Sequence, residues 1–474
     1  MKKLINTIIL FVVISLPQGC DLVDPTDVVN PNIVEDVIIG TSNSASLWIS
    51  GLNRELAQEY NVMVDIAELA SDNYVNTQTF YNQNFDVLDI RYQDTDVNTL
   101  QAGLAQLRED ATVGIEKIHP GDPIATDDQL AEMYFFRGMA FLLSGEMFKT
   151  LPMEGGGAAV TSSELFLLAI ADFQQAETLD ATNVSYKMAL ARTYYNQGDA
   201  TNATTKATEA ITSDADYFRA IEFDAVNGPT SVMQDALYDR GNFDDYQPLP
   251  SLDFLDPKYY GRSATEESPI YFQKIEEAHL INAEAQIASN DLAGARQTMK
   301  DIIALVASRP TESFQEVDQR TNTGGEVNRP DVSTCQVRFG TEPYRSGLVL
   351  DRAGVVTVPV MSGTSLDDAY VDAQLTADDL LEALYLLRQE IFIAEGRRMI
   401  DLGIKLPVSE REFDSNTNIT DSDLLPIIPA FLPTNMDEIT YDASVTGSEV
   451  CTITHNMNAI LVANKADANI MPFF

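Results

Sequence analysis

The chain has 474 residues, enough for one large helical array or for two or three domains of average size. Asp and Glu number 72 against 30 Lys and Arg, which gives a net charge of -42. A general nucleic-acid binder needs a basic surface, so this composition excludes that class, and it disfavours docking on anionic lipid in the same way. With three histidines that lack metal-ligand spacing and three cysteines, the sequence predicts neither a zinc site nor a dense disulfide framework.

Residues 1–19 have the pattern of a signal peptide. Two lysines precede an apolar run from Leu4 to Leu16, which is too short to span a bilayer. Cys20 follows a small residue at the end of this run, as the acylated cysteine of a bacterial lipoprotein does. We expect a lipid anchor at Cys20 and a polar tether over residues 20–43. The alternative is a plain secretory signal in which Cys20 is incidental.

The remainder, 44–474, predicts one mainly α domain in which long irregular loops and a few short strands interrupt a helical scaffold. Apolar residues recur at helical spacing in nine segments. These segments are 45–70, 97–118, 128–149, 163–178, 186–197, 200–212, 270–289, 292–307 and 377–404. Loop insertions rich in Gly, Pro, Asp, Ser and Tyr occupy about 213–269 and 309–375, and a strand is plausible within 347–360.

Two helix pairs resemble each other in sequence. Residues 194–211 align without gaps to residues 286–303, and both place a turn before a second helix. Small residues follow at Ala203 and Ala295, where they would let two antiparallel helices approach closely. This is the pattern of tetratricopeptide-type repeats, in which each helix pair buries its apolar face on the next. An ordinary helix hairpin in a bundle is the alternative.

Five segments match, in order, the segments of a known family. They are ELASDNYVN (68–76), AEMYFFRGMAFLLSGEMFKTLPM (131–153), EAHLINAEAQIASNDLAGARQTMKDIIALV (277–306), LRQEIFIAEGRRMIDLGI (387–404) and LLPIIPAFLPTNMDEI (424–439). With the leader, they make the chain resemble the SusD/RagB family of outer-membrane lipoproteins. The resemblance implies a non-catalytic, surface-exposed binding protein with four tetratricopeptide-like repeats. Its partner would be a SusC-like TonB-dependent transporter, to which it would deliver oligomeric nutrient, usually glycan.

Candidate ligand residues lie in two loop segments, because sugar rings need flat aromatic faces and polar groups for their hydroxyls. The first segment is 71–85, where the resemblance also places ligand contacts, and the second is 238–263. The candidates are Asp72, Asn73, Tyr74, Phe80, Tyr81, Asn84, Tyr246, Tyr259 and Tyr260. Aromatic residues that pin these loops to the scaffold are the alternative explanation.

The identity of the ligand stays open at this point. Trp48 is the only tryptophan, and it lies in the first helical pattern, where we expect it to pack in the core. Stacking on sugars would therefore fall to Tyr and Phe, which makes an oligopeptide ligand a credible alternative to an oligosaccharide. A structural or adhesive repeat lipoprotein without a small ligand is a third hypothesis.

Six arginines lie between residues 309 and 352, but seven acidic residues share that window, so the stretch does not predict an acidic ligand. We expect Arg397, Arg398 and Asp401, which lie within about one helical turn, to form structural ion pairs rather than a catalytic cluster.

No enzyme motif of the G-x-S-x-G or H-E-x-x-H type occurs, so we expect no catalysis and no cofactor. The acidic stretches 94–98 and 414–423 lack the glycine and the final glutamate of an EF-hand, and we expect no metal site. In an oxidising compartment Cys335 and Cys451 could form a disulfide, and two separate thiols are the alternative.

Overall fold

Nine helices of at least 13 residues build the part of the chain that the structure, a computed structural model, describes: residues 39–76, 83–239, 246–259, 267–317, 329–330, 332–351 and 353–474. The helices are α1 Ser44–Leu69, α2 Thr95–Val113, α3 Asp127–Met147, α4 Ser162–Leu179, α5 Val184–Asn196, α6 Ala200–Ser213, α7 Ile275–Ala288, α8 Leu292–Ala307 and α9 Ala377–Ile391. The signal peptide, Cys20 and most of the tether lie outside the described residues. Within those ranges, no helix has both the length and the apolar character that a bilayer span requires.

The helices pack as neighbours in chain order. Helix α3 contacts α2 and α4, α5 contacts α6, α6 contacts α7, and α7 contacts both α8 and α9. Successive helices thus bury their apolar faces on one another, most of them in one large core, while α6 packs against α5 and α7 in a second cluster. The prediction of a mainly α scaffold built of helix pairs is confirmed.

The two aligned helix pairs fold alike because residues at equivalent positions have the same structural roles. Gly198 and Asn290 both adopt a left-handed conformation in the turn, with φ of 73° and 63°. The next residues, Asp199 and Asp291, cap α6 and α8 by accepting a hydrogen bond from a backbone N–H three positions on. Ala203, like its counterpart in α8, is fully buried, as close helix packing requires.

Short helices and small sheets fill the connections. The short α-helices are Gln83–Asp86, His119–Gly121, Val232–Gln234, Asp368–Ala373, Arg398–Asp401, Glu410–Ser415 and Met457–Ala463. The strands are β1 Tyr74–Asn76, β2 Thr150–Pro152, β3 Ala159–Thr161, β4 Phe218–Ile221, β5 Tyr246–Pro248, β6 Ile270–Lys274, β7 Thr311–Val317, β8 Gln336–Phe339, β9 Ala353–Pro359, β10 Ile439–Asp442 and β11 Val450–Ile453. The pairs β1–β5, β2–β3, β4–β6 and β7–β9 are antiparallel, and β11 lies between antiparallel β10 and parallel β8.

Two predicted helices differ from the structure. The pattern over 270–289 is helical only from Ile275, because the preceding residues form β6 against β4. The pattern over 377–404 breaks after Ile391, since Ala394 and Gly396 adopt left-handed conformations with φ of 57° and 73°. The left-handed φ favours glycine at position 396, and a Cβ there would also lie 2.8 Å from the end of the Met63 side chain, which would have to move. Because the helix ends after Ile391, the side chains around Gly396 extend toward different parts of the protein.

Those residues form ion pairs inside the protein. Arg398 is 1% exposed, and its guanidinium donates to both carboxylate oxygens of Asp72 at 2.5 and 2.9 Å. Arg397 donates to Glu277 at 3.0 Å, and Arg388 donates to Asp401 at 2.8 Å. The prediction that Arg397, Arg398 and Asp401 make structural ion pairs is confirmed.

Removal of Arg398 should destabilise the fold strongly, because Asp72 would keep a buried charge with no cation. We expect Arg398→Met to lower the free energy of unfolding by about 3–5 kcal/mol in urea titrations followed by circular dichroism at pH 7. The control is Arg91→Met, which breaks an exposed pair with Asp89 and should leave the free energy of unfolding nearly unchanged. An equal decrease in the free energy of unfolding in the two variants would contradict the structural role assigned to the Arg398–Asp72 pair.

A second group of carboxyls lies between α1 and α2. Burial raises the pKa of Glu59 to about 7. Burial also raises the pKa of Glu55 to about 8, and a hydrogen bond and charge repulsion from Asp110 add to that effect. The Glu59 side chain lies over Gly103, where any Cβ would clash with it. The folded protein therefore holds protons here that the unfolded chain releases near pH 4.5.

The folded-state pKa of Glu59 lies above its unfolded value. Its contribution to the free energy of unfolding is therefore most favourable below pH 4.5, and it declines as the pH rises to about 7. We expect Glu59→Gln to raise the free energy of unfolding at pH 8 by on the order of 1–2 kcal/mol and to have little effect at pH 4.5. The exposed Glu222→Gln should change neither value. Urea titrations at both pH values measure this, and equal effects of Glu59→Gln at the two pH values would refute it.

Candidate ligand-binding site

Two of the sequence-predicted ligand residues belong to the core. Asp72 and Asn73 are 2% and 1% exposed, and both accept hydrogen bonds from the Gln389 side-chain amide, at 2.9 and 3.0 Å. Asn73 also donates to Glu68 at 2.7 Å. Burial raises the pKa of Glu68 to about 7. These polar groups satisfy one another, so in this conformation they do not face a surface ligand.

The tyrosines of the two loop segments are also buried. Tyr74 in β1 and Tyr246 in β5 lie on paired strands, with their ring centroids 6.5 Å apart. They are 1% and 2% exposed, and the Tyr246 hydroxyl donates to Asp65 of α1. The structure therefore brings the two segments together, but it uses these rings to fix the loops to the scaffold.

Among the candidate ligand residues that the structure describes, Asn84 is the one that is partly exposed. It lines a shallow depression of about 470 Å³ with Arg91, Gln93 and the first residues of α2. Phe80, Tyr81 and Tyr260 lie outside the described residues, as does the side chain of Tyr259. Their proposed contacts with a ligand remain predictions.

The two cysteines lie close together at the β8–β11 edge. Both side chains are buried thiols in the structure. Burial, with a further contribution from Cys335, raises the pKa of Cys451 to about 12. The thiol of Cys451 is therefore a poor nucleophile here, and the disulfide between the two remains a prediction.

A larger polar and aromatic surface lies beside the second loop segment. Two adjoining depressions, of about 450 and 230 Å³, share Arg345 and Tyr370 in their walls. We call the two together the Arg345 groove. Its lining residues are Phe254, Phe339, Glu342, Pro343, Arg345, Ser346, Gly347, Leu348, Thr364, Ser365, Asp367, Tyr370, Glu382, Leu386, Asn456 and Asn458.

The backbone holds Arg345 in place. Arg345 forms an antiparallel bridge with Val337 of β8, through hydrogen bonds of 2.8 and 2.9 Å. Its guanidinium donates to the Ser365 hydroxyl at 2.6 Å and lies 5.5 Å from the centroid of the Tyr370 ring. Ser365 is fixed in turn by Glu390 of α9, which accepts its backbone N–H at 2.9 Å. The groove is therefore pre-formed rather than made of loose side chains.

The groove combines an aromatic face with groups that donate and accept hydrogen bonds. The Asn456 amide donates to Glu342 and Glu382 at 2.7 Å each, so these three side chains form a polar wall. Burial raises the pKa of Glu382 and of Tyr370. Such a mixture of ring, guanidinium, amide and carboxylate suits a ligand that presents both hydroxyls and apolar faces.

Sequence reasoning did not single out this groove. Arg345 belongs to the run of six arginines, whose members have different roles in the structure. Arg309 pairs with Glu276 in the core, and Arg329 pairs with Asp437. Within the described ranges Arg338 and Arg345 have no carboxylate at salt-bridge distance, and each lies over a tyrosine ring. An Arg next to Tyr344 was the only local signal in the sequence.

Comparison with known proteins rests on structure alone. No protein-family model matches this sequence, and no curated protein matches it either. Solved structures do. A SusD superfamily protein from Bacteroides fragilis has a TM-score of 0.53 and 16% identity, over 81% of this chain and 100% of that chain. A candidate sugar-binding protein from Bacteroides vulgatus has a TM-score of 0.53 and 13% identity, over 80% and 98%. B. fragilis NanU has a TM-score of 0.51 and 13% identity, over 84% and 96%.

The chain has the SusD fold. The matches extend over nearly the whole of each solved structure, so the likeness is not confined to the helix pairs. The resemblance drawn from the five sequence segments is confirmed at the level of the fold. At 13–16% identity the comparison establishes the architecture, and the ligand has to be argued from this chain's own residues.

Proposed function

We propose that this protein is a cell-surface lipoprotein that binds oligosaccharides in the Arg345 groove and passes them to a TonB-dependent outer-membrane transporter. The observation that carries the glycan proposal is the Arg345–Tyr370 pair at the junction of two depressions on a SusD fold. A candidate sugar-binding protein with the same fold supports it. The signal-peptide pattern and Cys20 support the anchor.

The groove favours a neutral oligosaccharide over an acidic one. Among the described residues that line it, Arg345 is the one cationic side chain, while Glu342, Asp367 and Glu382 also line the walls. A ligand with several carboxylates would meet net repulsion there. Hydroxyl groups can instead accept from Arg345 and donate to Glu382, and a sugar ring can pack against Phe254. The two adjoining depressions suit two consecutive units of an oligomer.

Loss of the Tyr370 ring should weaken glycan binding. Calorimetric titration of residues 21–474 with a panel of neutral glycans, acidic glycans and casein-type peptides would identify the ligand class. We expect a neutral oligosaccharide to bind, and Tyr370→Ala to raise its Kd at least about tenfold through the lost packing and the released guanidinium.

The chain offers a matched control. Tyr134 on α3 is half-buried and carries Arg137 over its ring at 5.4 Å, in the same arrangement as Tyr370 with Arg345, but it lies outside the groove. Tyr134→Ala should leave the Kd unchanged. Binding of peptides alone, or equal effects of the two variants on glycan binding, would contradict the proposed site.

Anchoring depends on Cys20 under this proposal. We expect the full chain, expressed in a lipoprotein-processing bacterium, to incorporate labelled fatty acid and to remain with the membrane fraction after a salt wash. Cys20→Ser should abolish both, whereas Cys451→Ser should abolish neither. Fatty-acid label in the Cys20→Ser protein, or a soluble wild-type protein, would show that the leader is a plain secretory signal.

A further inference from the structure

A second cavity, of about 410 Å³, lies among the ends of several helices. It is bordered by the last turns of α3 and α5, the first turn of α4, part of α9 and the segment 468–472. It shares no lining residue with the Arg345 groove. Its aromatic wall consists of Phe166, Tyr195 and Tyr385. The volume is within the range of small-molecule sites.

Lys405 brings a positive charge into this cavity. Its Nζ donates to the carbonyl oxygens of Gly145 and Glu146 at 2.6 and 3.3 Å and lies 5.7 Å from the centroid of the Phe166 ring. An ammonium group has three N–H donors, and across the described residues the third has no acceptor. Burial lowers the pKa of Lys405 to about 8, so the charge is held in a poorly solvated place.

The carboxylates in the same wall are already paired. Glu146 accepts from Arg192 at 2.6 Å and from Asn196 at 2.7 Å. Asp401 accepts from Arg388 through both oxygens, at 2.9 and 2.8 Å. Lys405 therefore faces no carboxylate that lacks its own cation. In a chain with a net charge of -42, an ammonium group without a carboxylate partner of its own is unusual.

The helix that begins at this cavity adds to the positive potential. Ser162 and Ser163, the first two residues of the 18-residue α4, line the wall. The first N–H groups of a helix have no acceptor within the helix, and they favour an anion. Glu164 lies at this helix end as well, where it accepts from the backbone and hydroxyl of Thr161, and its negative charge offsets part of that potential.

We propose that this cavity binds the carboxylate of a small ligand, with Lys405 as its charge-assisted donor and the aromatic wall against the ligand's body. The ligand would be a monosaccharide acid or a dipeptide, since both present one carboxylate on a body of this size. Such a site is separate from the Arg345 groove and would recognise a product or fragment that the groove does not.

The first test compares ligands that differ only in the carboxylate. Wild-type protein is titrated with glucuronate against glucose, and with dialanine against dialanine amide, at pH 7. We expect the acid of at least one pair to bind at least tenfold more tightly than its neutral partner. Lys405→Met should remove that preference, whereas Lys300→Met on α8, which pairs with Asp372 and does not line the cavity, should keep it. No preference in either pair would overturn the proposal.

A second measurement avoids variants that fold poorly, because Lys405 also caps the end of α3. Wild-type protein is acetylated with a succinimidyl ester at pH 8, and the modification of each lysine is followed by peptide mass spectrometry. Glucuronate or dialanine, whichever binds in the first test, should slow acetylation of Lys405 at least threefold and leave Lys300, outside the cavity, unaffected. The same protection in Tyr370→Ala would separate this site from the groove, and no protection at Lys405 would mean that it serves only as a helix cap.

Discussion

The ion pair between Arg398 and Asp72 joins residues 326 positions apart and lies at the centre of the protein. Its guanidinium and carboxylate are both out of contact with water, so each depends on the other and on the amides around them. Gln389 bridges Asp72 and Asn73, and Asn458 accepts from Arg398 at 2.9 Å. A buried pair of this kind stabilises little by itself, but loss of either partner would leave the other charge buried and uncompensated.

Helix α9 connects this centre to both candidate binding sites through three consecutive residues. Gln389 faces the central pair, as described. Glu390 fixes Thr364 and Ser365, which line the Arg345 groove. Arg388 holds Asp401, which lines the second cavity. Because the three side chains leave one helical turn in different directions, any shift of α9 would move the walls of both sites together.

The scaffold could be predicted from sequence because its signals are local. Apolar periodicity located the long helices, and Asp199 and Asp291 fixed where the second helices of the aligned pairs begin. The break after Ile391 escaped prediction, since it depends on a left-handed Ala394 that no propensity favours. The apolar pattern continues at helical spacing past Ile391, although the chain changes direction sharply there.

The candidate sites were harder to predict because burial of a polar residue depends on distant partners. Asp72 and Asn73 occur in a polar loop segment and look like ligand residues, but their partners come from α9 and from Arg398. Conversely, Arg345 belongs to a run of arginines in which Arg309 and Arg329 pair with carboxylates, and only tertiary structure shows that Arg345 faces Tyr370 instead. The local sequence indicated neither the burial of Asp72 and Asn73 nor the contact of Arg345 with Tyr370.

The long separation of the central pair has a consequence for how the chain reaches its folded state. Until Arg398 has been synthesised, Asp72 has no cation, and Glu68 lacks the Gly396 N–H that it accepts at 2.8 Å. Burying these carboxyls earlier would be costly, which disfavours closure of the core around the first helices before residues 396–398 are available. Under the proposed export by a signal peptide, this cost would favour a chain that is still open when it enters a translocation channel and that folds after it has emerged.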